Sequence, residues 1–139
     1  WTPNVVTVQL VRLGGVAVVG VPGEPTTVAG ARIEAATQRR LEADGVRSVV
    51  CAGYANGYAG YVTTHEEYAL QRYEGASTLF GRWTLAVIQT HVDAIVAALR
   101  APLDVRAAAV GPPLQVASPM ERYGQLWPGR TWVEANRSR

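Results

Sequence analysis

Hydrophobic and polar positions alternate first in "VVTVQL" (Val5 to Leu10), a β-branched run that predicts a strand. "LGG" (Leu13 to Gly15) has turn chemistry, and "VAVVGV" (Val16 to Val21) is a second apolar run, so the two read as a β-hairpin. "PGEPTT" breaks the pattern. Residues from about Thr27 to Asp44 then suit a helix, with Gly45 placed to end it. "VRSVVCAG" (Val46 to Gly53) predicts a third strand, so apolar that it suits a sheet covered on both faces.

Farther on, Thr64 and Glu67 have capping-box spacing and predict a helix start, with Gly75 and Gly81 as interruptions. Leu85, Ile88, Val92, Ile95, Val96 and Leu99 recur at threes and fours, which lays one apolar stripe along a long helix. "GPP" at Gly111 to Pro113 marks a boundary, and the residues after it are too few to build a core alone. The pattern as a whole is α/β, a mixed sheet with flanking helices. Its two unusual loops, "PGEPTT" and the stretch after Gly53, follow strand ends, where ligands of α/β sheets bind. Both loops should therefore face one cavity.

Composition narrows the function classes. Apolar residues make up 48% of the chain and charged residues 17%, enough for a packed core. All 13 basic residues are arginines, scattered along the chain at a net charge of +2, which argues against a nucleic-acid partner. The single cysteine, Cys51, excludes an internal disulfide and a cysteine-based zinc finger, and its apolar surroundings suggest a buried, inert thiol. No run reaches the length of about 20 apolar residues that a membrane helix needs, and no signal peptide is visible. Trp1 in place of an initiator methionine suggests a processed chain or a fragment.

The stretch "GYANGYAGYVTTHEEYALQRYEGAST" (Gly53 to Thr78) carries five of the six tyrosines. Its glycines do not match GxGxxG or a P-loop; they suit close backbone approach or positive φ between aromatic rings. Tyr61 stands just before the predicted helix. It is either a core tyrosine with a satisfied hydroxyl or a phenol facing the cavity, where a divalent cation would favour its ligating form. Glu24, between Gly23 and Pro25, is either a charge complementing the next helix's N-terminus or a metal-ligating carboxylate on a stiff turn. His65 and His91 form no HExxH-type pair, and no serine sits in a GxSxG setting.

"VPGEPTTVAG" (Val21 to Gly30) and "NGYAGYVTTHEEYALQRYEGASTLFG" (Asn56 to Gly81), in that order, closely resemble the neutral, non-lysosomal ceramidase family. In that family a GEFTT-like turn precedes a GY[VI]TT..EY..QRYE.AST..G block. The likeness runs from about Trp1 through Leu103, and "YGQLWPGRTWVEANRSR" resembles the start of the family's C-terminal immunoglobulin-like domain. The resemblance thus implies residues 1–112 as the C-terminal part of a catalytic domain, and 113–139 as linker and the incomplete start of a β-sandwich.

The resemblance also implies an amidase that hydrolyses the N-acyl bond of ceramide to sphingosine and a fatty acid. It implies one zinc ion, with Glu24 and Tyr61 as the ligands this chain carries, and Tyr73 of "QRYE" as a catalytic residue near the scissile carbonyl. Family zinc histidines and the active-site serine belong to a more N-terminal portion, and His65 and His91 do not match them. The partners implied are therefore that N-terminal portion, a sphingolipid substrate and a membrane surface. The location implied is secreted, extracellular or periplasmic. Pro25 replaces the family's usual Phe, and "AGARIE" replaces a more basic segment. Beside the ceramidase reading stand two others, a degenerate α/β domain that binds lipid or protein without catalysis and a stand-alone α/β enzyme of another type that uses Tyr and Glu.

Overall fold

The expected hairpin forms from β1 (Gln9–Leu13) and β2 (Val16–Gly20), antiparallel, with Gln9 opposite Gly20 and Leu13 opposite Val16. It belongs to a computed structural model that describes residues 3 and 5–100. The first strand begins at Gln9 rather than Val5 because β2 ends at Gly20, leaving Val5 to Val8 no ladder partner. A third strand, β4 (Ser48–Ala52), runs parallel to β2, giving the order β1-β2-β4. Between β2 and β4 in sequence come the two-residue strand β3 (Glu24–Pro25) and helix α1 (Thr27–Leu41).

Local chemistry accounts for α1. Thr26 caps it, its hydroxyl accepting from the Ala29 N–H at 3.1 Å. Arg39 and Arg40 in the last turn complement the negative end of the helix dipole. A 3₁₀ turn (Glu42–Asp44) follows, and the chain leaves through Gly45 in the left-handed region, where the stop was expected.

One core joins these elements. Ala17 and Val19 of β2 pack with Ile33 and Leu41 of α1 and with Leu85, Ile88, Val92 and Val96 of α4 (Thr84–Arg100). The predicted α4 stripe is buried as far as Val96. Ile95 is only partly covered and Leu99, in the last turn, is exposed.

The all-apolar β4 pattern suggested a sheet covered on both faces. Among the described residues, only one face is covered, by α1 and α4. Val49 and Cys51 point to that core, while Val50, Val11 and Val16 on the other side are exposed.

Past the tyrosine loop, strand β5 (Tyr61–Val62) leads into α2 (His65–Ala69), whose Thr64–Glu67 capping box is fully formed. α2 ends sooner than expected. The break falls at Gln71, which takes a φ of 47°, and a new short helix, α3 (Tyr73–Ala76), contains Gly75 rather than being broken by it. A Cβ on Gly75 would stand 2.8 Å from the Glu67 carbonyl oxygen, so this glycine lets α3 fold back against α2.

The mixed α/β architecture is thus present. The boundary at residues 112/113 and the expected β-sandwich start lie outside the described residues. Among the described residues, no helix is long and apolar enough to cross a membrane.

Candidate active site

Strands β3 and β5 continue from the carboxyl ends of the β2 and β4 region and pair in parallel, with Glu24 opposite Tyr61 and Pro25 opposite Val62. The Glu24 N–H donates to the Gly60 carbonyl and the Thr26 N–H to the Val62 carbonyl, each at 3.0 Å. Such close approach requires a glycine at position 23, since a Cβ there would meet the Gly60 oxygen at 2.6 Å. In-register partners of a parallel pair send their side chains to the same side. Glu24 and Tyr61 accordingly stand next to each other.

Three phenols surround the Glu24 carboxylate. The Tyr58 hydroxyl donates to Oε1 at 2.5 Å. Hydrogen bonding from Tyr54, then Tyr58, and least from Tyr61, outweighs desolvation and holds the Glu24 carboxyl below the usual carboxylate range. The reciprocal effect falls on the phenols. Tyr58 is pushed up to about 12, and Tyr54 and Tyr61 are raised, each chiefly by its hydrogen bond to Glu24. The rings order one another: Tyr54 stacks on Tyr58 at 6.0 Å, and Tyr73 meets Tyr61 edge-to-face at 5.6 Å.

Sequence reasoning singled out Tyr61 and Tyr73 but not Tyr54 and Tyr58. Tyr54 reaches the carboxylate from a left-handed backbone (φ 55°), a conformation costly for a non-glycine residue. The expectation that glycines would take the positive-φ positions holds for Gly57 and Gly60, while Tyr54 and Asn56 share that role. The signal for the two missed residues was the tyrosine spacing itself. Their target, Glu24, lies too far away in sequence for any local pattern to name it.

Both unusual loops line one cleft of about 890 Å³, with Glu24, Tyr54, Tyr61 and Glu67 in its wall. Tyr73 itself is 73% exposed, and its neighbours Arg72 and Glu74 line the cleft. His65 lies elsewhere, tilted against Trp83 at 5.1 Å. His91 is exposed on α4 with Nδ1 2.8 Å from the Val87 carbonyl oxygen. Among the described residues, no group of three or more His, Cys, Asp or Glu side chains gathers that could hold a metal. A carboxylate and a phenol side by side are a pair of oxygen donors, enough for part of a coordination shell.

A cleft at the carboxyl ends of parallel strands, with an acid and phenols in its wall, is the placement of a small-molecule site in an α/β protein. The chain belongs to the neutral/alkaline non-lysosomal ceramidase family: the family pattern described as "Neutral/alkaline non-lysosomal ceramidase, N-terminal" matches residues 1–90.

It is 50% identical over 114 residues to the neutral ceramidase of Pseudomonas aeruginosa, and 50% identical over 97 residues to that of Mycobacterium tuberculosis. These matches cover 82% and 70% of this chain but only 17% and 15% of the relatives, so the chain spans about a sixth of their length. Among solved structures it matches "Ceramidase complexed with C2" with a TM-score of 0.74 at 49% identity, covering 84% of this chain and 18% of that one. It matches the crystal structure of neutral ceramidase from Pseudomonas aeruginosa with a TM-score of 0.73 at 50% identity, covering 81% and 18%.

Proposed function

We propose that this segment supplies one side of the active site of a zinc-dependent amidohydrolase that cleaves the N-acyl bond of ceramide, giving sphingosine and a fatty acid. The observation that carries the reading is the register pairing of Glu24 with Tyr61, which sets a carboxylate and a phenol together at the wall of the cleft. Both offer oxygen atoms that would ligate zinc, with the remaining ligands coming from the rest of the enzyme. Zinc held there would supply Lewis acidity toward the amide carbonyl and the means to activate a water.

The remaining work falls to residues of this chain. Glu24 and Tyr61 would hold their share of the ion. Tyr58 orients the Glu24 carboxylate by donating to it, as partners of metal ligands do, and Tyr54 stacks on the Tyr58 ring. Tyr73, braced edge-on against Tyr61, presents a phenol that donates to oxyanion charge developing on the substrate carbonyl. With this pair as the donors the described residues bring to the ion, the separated chain would be inactive, and activity would belong to the complete enzyme. An enzyme acting on a membrane lipid works at a membrane surface, and its place is the cell exterior or periplasm.

Turnover of a fluorescent ceramide by the complete enzyme containing this segment tests the proposal. Chelation should abolish release of the fatty acid, and zinc should restore it. Undiminished hydrolysis after complete zinc removal would overturn the metal-dependent reading.

A further inference from the structure

One carboxylate serves two helices. Glu67 Oε2 accepts from the Thr64 backbone N–H at 2.8 Å, which is its capping-box duty, and also from the Thr26 hydroxyl at 2.7 Å. The second bond has no part in capping α2. Thr26 caps α1, so the N-termini of α1 and α2 are fastened to each other through one oxygen atom. Thr26 follows directly on β3, which carries Glu24, and Thr64 lies just beyond β5, which carries Tyr61. These strands have two residues each. Such a ladder is too short to fix its own separation.

We infer that Glu67 is a positioning residue for the Glu24–Tyr61 pair: by clasping the two caps it sets the distance between carboxylate and phenol. It acts through these ligands and does not touch the ion. The inference rests on the zinc reading above. Residues that orient metal ligands typically change metal affinity by about 10–100-fold when lost, and Glu67 should fall in that range.

The test measures the zinc dissociation constant of the complete enzyme by chelator competition, alongside the melting temperature of the metal-free protein. Glu67→Ala removes the clasp and the capping box together. Thr26→Asp removes the hydroxyl donor of the clasp while keeping an oxygen to cap α1, and it sets a like charge against Glu67. Both variants should raise the zinc dissociation constant about 10–100-fold, and Thr26→Ser, which keeps the hydroxyl, should rescue it to within about threefold of the unmodified enzyme. Unchanged zinc affinity in Thr26→Asp, whatever its melting temperature, overturns the inference, and this variant carries the test if Glu67→Ala fails to fold. Glu24→Gln run in parallel separates the two levels. If it loses zinc and Thr26→Asp does not, only the clasp falls; if it too keeps full affinity, the metal reading falls and the clasp inference with it.

Discussion

Glu24 and Tyr61, far apart in sequence, are directly opposed in a two-residue parallel ladder, so a backbone contact brings a carboxylate and a phenol together. That contact depends on a missing Cβ at Gly23 and on two backbone hydrogen bonds, and the Glu67–Thr26 bond beside it joins the caps of the two helices that follow.

The first prediction follows from that contact. Gly23→Ala places a methyl 2.6 Å from the Gly60 carbonyl oxygen, a backbone atom that cannot step aside. The strands must separate, at a cost of about 1–3 kcal/mol typical of overpacking. Thermal unfolding of the complete enzyme should show a lower midpoint, and zinc content should drop with it. An unchanged midpoint and full zinc would show that the ladder tolerates the added atom.

The capping-box spacing, the Gly45 stop and the α4 stripe were legible because each depends on residues within a few positions of one another. What was illegible depends on distant partners. Val5 to Val8 have strand chemistry but no partner, since β2 turns away at Gly20. Gly75 has the chemistry of a helix breaker, yet it sits inside α3 because the Glu67 backbone passes so near. Glu24 and Tyr61 came from family motifs, whereas their closeness, the convergence of Tyr54 and Tyr58, and the clasp from Glu67 to Thr26 arise only when the two loops meet.

Cys51 should be slow to react. Burial, with a smaller contribution from the Glu34 charge, pushes its thiol up to about 11. At pH 8 the thiolate fraction, and hence the alkylation rate, should be about 100-fold below that of an ordinary exposed cysteine. Iodoacetamide labelling followed by mass spectrometry checks this, with urea-unfolded protein as the reference. Equal labelling rates in the folded and unfolded protein would refute it.

A surface pair should give a small acid-dependent contribution to stability. Arg32 donates to Glu66 at 2.9 Å and, more than any other group, lowers the Glu66 carboxyl to about 2. A carboxyl depressed by folding adds stability above its unfolded value, near 4.5, and loses that contribution as pH falls toward its folded value. The melting-temperature gap between the unmodified enzyme and Glu66→Gln should therefore be fully open above about pH 4.5 and close toward about pH 2. The gap should be modest because both partners face solvent. A gap independent of pH across this window would show that the pair contributes nothing through its charge.

Glu24 and Tyr61 should act through one ion, and Tyr73 on the substrate. Zinc content and kcat should be measured on the same preparations of the complete enzyme carrying Glu24→Gln, Tyr61→Phe or Tyr73→Phe. The first two should lose zinc and activity together, whereas Tyr73→Phe should keep its zinc and lose about 10²–10³ in kcat, the size of one oxyanion donor. Full zinc and full rate in Tyr61→Phe would contradict the shared ion.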